Sequence, residues 1–135
     1  MTRYRDAFLK AVELIQKNEE PVKAWKMALE MLDLAGKNCV NAAFVGMCTD
    51  GLIVGCKQGK SNSRKKNCEY VIKGLKYLME HPQDADLSPN DLWVKAKIRE
   101  GSRTQTGYQM DMAIVLFKHN LYDAEKVRNY RLSEQ

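Results

Sequence analysis

The sequence has little of what builds a catalytic or metal site. Only 2 of its 135 residues are histidine, and its 4 cysteines, at positions 39, 48, 56 and 68, stand 9, 8 and 12 residues apart. This spacing lacks the CxxC pairs that bring two thiolates onto one zinc ion. The HExxH and GxSxG motifs are missing too, as are paired carboxylates on one helix face. We therefore expect no metal, no cofactor and no catalytic residue.

Long apolar runs are equally scarce. No stretch approaches the roughly 20 apolar residues that cross a bilayer. Charges at Asp6, Lys10 and Glu13 interrupt what would have to be the core of a secretory signal. With 44% hydrophobic and 29% charged residues, the composition is typical of a globular protein. We expect a cytoplasmic protein without a membrane partner, folded as a single helical domain over residues 1–135. The sequence leaves the oligomeric state open.

Helical periodicity is the pattern that the sequence does carry. Apolar residues recur at intervals of three and four in 7–15, 21–36, 40–47, 71–79, 92–96 and 110–117. Pro21 and Pro89 fall where a first helical turn tolerates proline, and Ser88 is a typical capping residue. Gly36 and Gly51 are the predicted ends of the second and third helices. The pattern predicts an all-α fold.

The two halves of the chain resemble each other. The spacing Pro-x3-Trp-x2-Ala starts at Pro21 and again at Pro89, a shift of 68, and the third helices align at a shift of 70. Each half offers three helices that bury one face each, and Trp25 and Trp93 lie on those faces. We predict two pseudo-repeated three-helix units packed into one helical domain. Unit one covers about 5–54, a polar basic loop 55–67, unit two about 68–122 and a C-terminal tail 123–135.

Positive charge is concentrated in one segment. Residues 57–76 contain seven lysines and arginines against Glu69 alone, a net of +6 where the whole chain has +5. A clustered positive field attracts phosphates, as expected of a nucleic-acid binder. A solvated surface without a partner is the alternative.

Polar residues beside this segment complete a candidate anion site. At a helix start, free N–H groups and the helix dipole favour an anion, although N-capping explains the serines without a ligand. The run GCKQGKS at 55–61 is one residue too short for a phosphate-binding loop, so no nucleotide-hydrolysing site is expected. A second polar loop at 101–107 contributes further donors. The predicted anion-binding residues are Lys57, Lys60, Ser61, Ser63, Arg64, Lys65, Lys66, Arg103 and Gln109.

Aromatic and thiol groups near the polar loops suggest two further roles. Tyr70, Tyr77 and Tyr108 are candidates for stacking on nucleic-acid bases. Cys56 and Cys68 flank the basic segment, where neighbouring cations would lower a thiol pKa and make a cysteine reactive.

The sequence also resembles a family of small uncharacterised bacterial and phage-associated proteins, a domain of unknown function. The resemblance spans about 7–122 and rests on KAVELI at 10–15, AW at 24–25, AFVGMC at 43–48 with GLIVG at 51–55, SRKKN at 63–67, DLW at 91–93 and QMD at 109–111. The chain has Cys56 and Lys57 where the family pattern has a proline-containing loop. The resemblance implies no activity, and it directs attention to 61–67 and 109–111.

Three functions remain open, of which the first is our expectation. The first is a non-enzymatic helical protein that binds an anionic partner, nucleic acid above all, through its basic loop and helix. The second is a protein-interaction or small-anionic-ligand module with no nucleic-acid role. The third is a small cysteine-dependent enzyme that uses Cys56 or Cys68.

Overall fold

The computed structural model describes residues 3–36, 38–56, 65–99, 101–105 and 107–132. Its helices are α1 (Arg3–Gln16), α2 (Pro21–Met31), α3 (Asn38–Thr49), α4 (Lys65–Glu80), α5 (Pro89–Lys95), α6 (Gln109–Lys118) and α7 (Ala124–Asn129). A short 3₁₀-helix, Pro82–Asp86, lies between α4 and α5. The all-α prediction is confirmed. None of these helices has the length and hydropathy needed to span a bilayer.

Five helices, α1, α2, α3, α5 and α6, end in the same hydrogen-bonded turn. In each, one residue takes a left-handed conformation with φ between 53° and 73°, and these residues are Asn18, Asp33, Gly51, Lys97 and Asn120. The N–H of the next residue then donates to the carbonyl five positions earlier, at 2.9–3.2 Å. This is the Schellman motif, in which an apolar residue commonly follows the left-handed one. Here Leu34, Leu52, Ile98 and Leu121 occupy that place and are buried or half-buried.

The second helix is shorter than the sequence predicts. It ends at Met31, and the expected end at Gly36 is wrong. Asp33 takes a φ of 54°, so that the N–H of Leu34 returns to the carbonyl of Leu29 at 2.9 Å. Aspartate reaches this conformation more readily than most residues because its short side chain is polar. The predicted end at Gly51, with a φ of 72°, is confirmed.

Helix α4 packs against α3, α6 and α7. It approaches α6 closely at Gly74, where a Cβ would lie 2.9 Å from the Met110 Sδ and 3.1 Å from the Ala113 Cβ. Buried apolar side chains from both halves of the chain form one core cluster. Trp25 and Trp93, 3% and 0% exposed, belong to this core as predicted.

A single antiparallel bridge joins the segments that follow α3 and α6. It pairs Ile53 with Tyr122, flanked by bonds from the Val54 N–H to the Leu121 carbonyl at 2.9 Å and from the Asp123 N–H to the Leu52 carbonyl at 2.8 Å. Each half thus contains three α-helices followed by one of the two bridge residues. The packing differs between the halves, because α1 packs mainly against α2, whereas α4 packs mainly against α6 and α3. The pseudo-repeat therefore stays a prediction.

The left-handed lysine after α5 allows a stabilising substitution. Lys97 is exposed and has a φ of 53°, a conformation that strains lysine but not glycine. We expect Lys97→Gly to raise the free energy of unfolding by about 0.5–1 kcal/mol, which corresponds to a rise in Tm of about 2–4 °C. Circular dichroism during heating measures Tm, and circular dichroism during urea unfolding measures the free energy of unfolding.

The matched control is Lys95→Gly, two residues earlier in the last turn of α5. Lys95 is exposed and helical, so glycine there should cost about 1 kcal/mol through lost helix propensity. Destabilisation by both substitutions would contradict the assignment of strain to Lys97.

Candidate functional site

Most of the predicted anion site lies outside the described residues. This holds for Lys57, Lys60, Ser61, Ser63 and Arg64. Lys65 and Lys66 form the first turn of α4, and their side chains lie outside the described part as well. The structure therefore bears on the surroundings of this site, namely α4 and the second polar loop.

The two basic residues further along α4 make contacts within the fold. The Lys73 Nζ donates to the Ile98 carbonyl at 3.5 Å, and the Lys76 Nζ donates to the Tyr130 carbonyl at 2.8 Å. Both lysines are half-buried. They attach the segment after α5 and the end of α7 to α4, so Lys73 and Lys76 are engaged within the fold.

The two remaining predicted residues, Arg103 in the second polar loop and Gln109 in α6, differ in exposure. Arg103 is exposed, whereas Gln109 is fully buried at the first position of α6. The Gln109 Nε2 donates to the Asn67 Oδ1 at 3.1 Å, and its Oε1 accepts from the Gly107 N–H at 2.8 Å. Gln109 thus joins the N-terminal turns of α4 and α6 and does not face solvent.

A buried polar network surrounds the first turn of α6. Asp111, 1% exposed, accepts from the Arg5 Nε at 3.2 Å and from the Gln105 Nε2 at 2.9 Å. The Gln105 Oε1 in turn accepts from the Met110 N–H at 2.7 Å, which satisfies a helix N-terminal donor. Sequence reasoning did not include Arg5 or Gln105. Arg5 lies 106 residues from Asp111, and no local spacing indicates such a pair.

The tyrosines proposed as stacking platforms already contact other rings. Tyr108 stacks on Tyr4 with ring centroids 4.1 Å apart, and the Tyr4 hydroxyl donates to the Ala35 carbonyl. Tyr70 is buried edge-on against Trp93, at 5.2 Å. Tyr77 stacks on His81 at 4.3 Å and donates its hydroxyl to Asp84. Base stacking on these rings would require the existing ring contacts to open.

Three free thiols, Cys48, Cys56 and Cys68, differ in reactivity. Burial, together with the nearby carboxylates of Asp50 and Glu69, raises the pKa of Cys68 to about 12. This shift is opposite to the one expected from neighbouring cations. Burial also raises the pKa of Cys48, whereas a hydrogen bond from Cys48 lowers the pKa of the half-buried Cys56. Of the three, Cys56 is the thiol whose pKa is lowered, so we expect it to react fastest.

A cavity of about 480 Å³ opens beside α7 and is unsuited to an anion. Its charged lining consists of Asp50, Asp123 and Glu125 against Lys126. Asp123 already accepts from the Lys126 N–H at 3.1 Å as the cap of α7. In the described ranges, no group of three or more histidine, cysteine or acidic side chains is arranged to hold a metal ion.

The match to known proteins covers nearly the whole chain. A model of a family of unknown function, DUF6979, matches residues 1–123. The chain belongs to this family. No curated protein and no solved structure matches it. Membership in DUF6979 confirms the resemblance to a family without an assigned function, while a bacterial or phage-associated origin stays a prediction.

The ion pair between α1 and α6 gives a stability prediction for this DUF6979 chain. Arg5→Ala removes the ion pair between Arg5 and the buried Asp111 carboxylate, and we expect the free energy of unfolding to fall by about 2–3 kcal/mol. Urea unfolding measures the change.

The control is Lys10→Ala on the same helix. Lys10 pairs with Glu13 at 3.1 Å, and the side chains are 37% and 44% exposed, so the loss should stay below about 0.5 kcal/mol. Equal losses for the two variants would contradict a specific role for Arg5.

The thiols give a second prediction. At pH 7.5, iodoacetamide should alkylate Cys56 faster than Cys48 or Cys68, because only a thiolate reacts and burial keeps the other two protonated. Cys48→Ala removes the hydrogen bond that lowers the Cys56 pKa and should slow its alkylation several-fold. Cys68→Ala, the matched control, should leave the rate unchanged. Peptide mass spectrometry reads each site, and faster labelling of Cys68 would contradict the assignment.

Proposed function

We propose that this protein binds an anionic partner, nucleic acid above all, through the basic segment at 57–66 and the first turn of α4. In this proposal the protein is cytoplasmic and is not an enzyme. The predicted anion-binding residues that carry the interaction are Lys57, Lys60, Arg64, Lys65 and Lys66, together with Arg103 of the second polar loop.

One observation supports this site above the others. The bond between Asn67 and Gln109 brings the N-termini of α4 and α6 to the same end of the fold. Each helix N-terminus carries about half a positive charge, so two of them together strengthen the potential around the adjoining lysines. Arg5 offsets the charge of the Asp111 carboxylate at this end. The carboxylates of Asp50 and Glu69 near Cys68 oppose this effect, so the net positive charge of the site comes from the cations of the basic segment.

The mechanism is charge neutralisation without base readout. Lysines and arginines that contact phosphates release the counterions of the nucleic acid. The logarithm of the binding constant therefore falls linearly with the logarithm of the salt concentration. With Lys73 and Lys76 bonded to backbone carbonyls, five cations remain in 57–66. With Arg103 they make six, so the slope for duplex DNA should be no steeper than about −5.4, at about −0.9 for each neutralised phosphate. Sequence preference should be weak, since phosphate contacts carry no sequence information.

The thiols support the choice of a non-enzymatic function. The hydrogen bond that lowers the Cys56 pKa comes from another thiol, Cys48, rather than from a histidine that would act as its general base. Cys68 stays protonated near neutral pH because its pKa is raised to about 12.

We also propose that the two halves arose by internal duplication. In support, α3 and α6 both end in a Schellman turn and lead directly into the two strands of one bridge. The halves then diverged at one contact. Trp25 donates its indole N–H to Asn41, whose counterpart at the shift of 70 is Asp111. The buried indole N–H of Trp93 has no hydrogen-bond partner in the described part of the chain.

Binding of a labelled DNA duplex and of a single RNA strand, followed by anisotropy at two salt concentrations, tests the proposal. We expect binding at low salt that weakens steeply as salt rises. The double variant Arg64→Glu and Lys65→Glu should abolish it. Absence of binding at low salt would show that the basic segment is a solvated surface. It would favour the alternative function, a protein-interaction or small-anionic-ligand module.

The matched control reverses two exposed lysines elsewhere. Lys95→Glu with Lys126→Glu lowers the net charge from +5 to +1, the same change of four charges as in the test variant. This control should keep most of the affinity. Equal losses in both double variants would show that net charge alone, and not the segment at 57–66, drives binding.

A further inference from the structure

An apolar groove lies between α2 and α3, apart from the basic segment. Its volume of about 380 Å³ is within the range of small-molecule sites. Val22, Trp25 and Leu29 line it from α2, Leu34 and Gly36 from the link, and Val45 from α3. Val22 is 55% exposed and adds apolar surface to the wall of the groove.

The floor of the groove is held in place. The indole of Trp25 stacks against Phe8 and Phe44, each with ring centroids 5.1 Å apart. It is therefore not free to rotate outward and fill the groove. At Gly36, a Cβ would stand 3.4 Å from both the Leu29 Cδ1 and the Asn41 Nδ2. The absence of a side chain at position 36 thus leaves room between Leu29 and Asn41.

One polar group in the groove has a fixed orientation. The Trp25 indole N–H donates to the Asn41 Oδ1. Since an indole nitrogen is only a donor, this bond requires the amide oxygen on that side and turns the Nδ2 away. No described residue accepts a hydrogen bond from the Asn41 Nδ2, and Asn41 is half-buried and lines the groove beside Gly36. Its N–H groups are available to an oxygen acceptor in the groove.

We propose that this groove binds a small molecule with an apolar body and a terminal oxygen acceptor, a carboxylate or a carbonyl. The apolar body lies along Val22, Leu29 and Val45, and the oxygen accepts from the Asn41 Nδ2. The rim carries both signs of charge, Lys26 and Glu30 one turn apart on α2, so the oxygen acceptor rather than net charge selects the ligand. This proposal is independent of the nucleic-acid function.

Titration of ¹⁵N-labelled protein with three related probes tests it. We expect 3-phenylpropionate and 3-phenylpropionamide to bind with a Kd of about 1–5 mM, as small fragments do. The same ring bearing an amine, 3-phenylpropylamine, has no acceptor and should bind at least fivefold more weakly. The Trp25 indole and Asn41 amide signals should shift, while the indole signal of the fully buried Trp93 should not. A preference for the carboxylate over the amide would identify an acid as the ligand class.

Two variants and one control localise the binding. Gly36→Ala fills the gap beside Asn41 and should weaken binding of the probes at least fivefold. Val22→Ser removes part of the apolar wall and should also weaken binding. Val94→Ser, at a 50% exposed valine on α5, is the matched control and should bind as the parent does. Because Val22 is exposed, Val22→Ser should fold normally. It therefore tests the groove even if Gly36→Ala unfolds the protein. The proposal is overturned by the absence of saturable shifts up to about 10 mM, by equal shifts of both indole signals, or by unchanged affinity in Val22→Ser.

Discussion

The close approach of α4 and α6 at Gly74 is the contact on which the rest of the structure depends. Because a Cβ at this position would stand 3.1 Å from that of Ala113 and 2.9 Å from the Met110 Sδ, any residue larger than glycine would require its neighbours on α6 to shift. The approach brings Asn67 within hydrogen-bonding distance of Gln109 and sets the two helix N-termini together. Helix α4 then carries α3 and α7 on its remaining surface. The missing side chain at position 74 thus favours the packing of α4 on α6 and the pairing of their N-terminal turns.

Periodicity predicted the helices well and their ends less well. The stripes at 7–15 and 110–117 lie within α1 and α6, because an amphipathic helix has a local signal in the spacing of its apolar residues. Its end depends on a single left-handed residue, and here Asp33 and Lys97 fill that position where a sequence reader looks for glycine. The 3₁₀-helix after His81 was not predicted, since five residues are too few to show a period.

The polar contacts of the candidate site show where sequence reasoning stops. A run of lysines is visible in the sequence, but whether a particular lysine faces solvent is decided by partners such as the Ile98 and Tyr130 carbonyls. Gln109 was predicted as a surface donor and is fully buried, because Asn67, 42 residues away, accepts from its amide. The groove beside Asn41 had no sequence signal, since it results from the orientation of one amide and the absence of a Cβ at position 36.

The bridge between Ile53 and Tyr122 has a consequence for how the chain can be divided. It joins the two halves through backbone bonds that do not pass through residues 57–64. The shared core and the contacts of α3 with α4 and of α1 with α6 hold the halves together in the same way. If the chain were divided within 57–64, the two fragments would together contain both partners of every described contact between the halves. The fold is suited to reconstitution from two fragments whose reassembly reports on the proximity of whatever is fused to them.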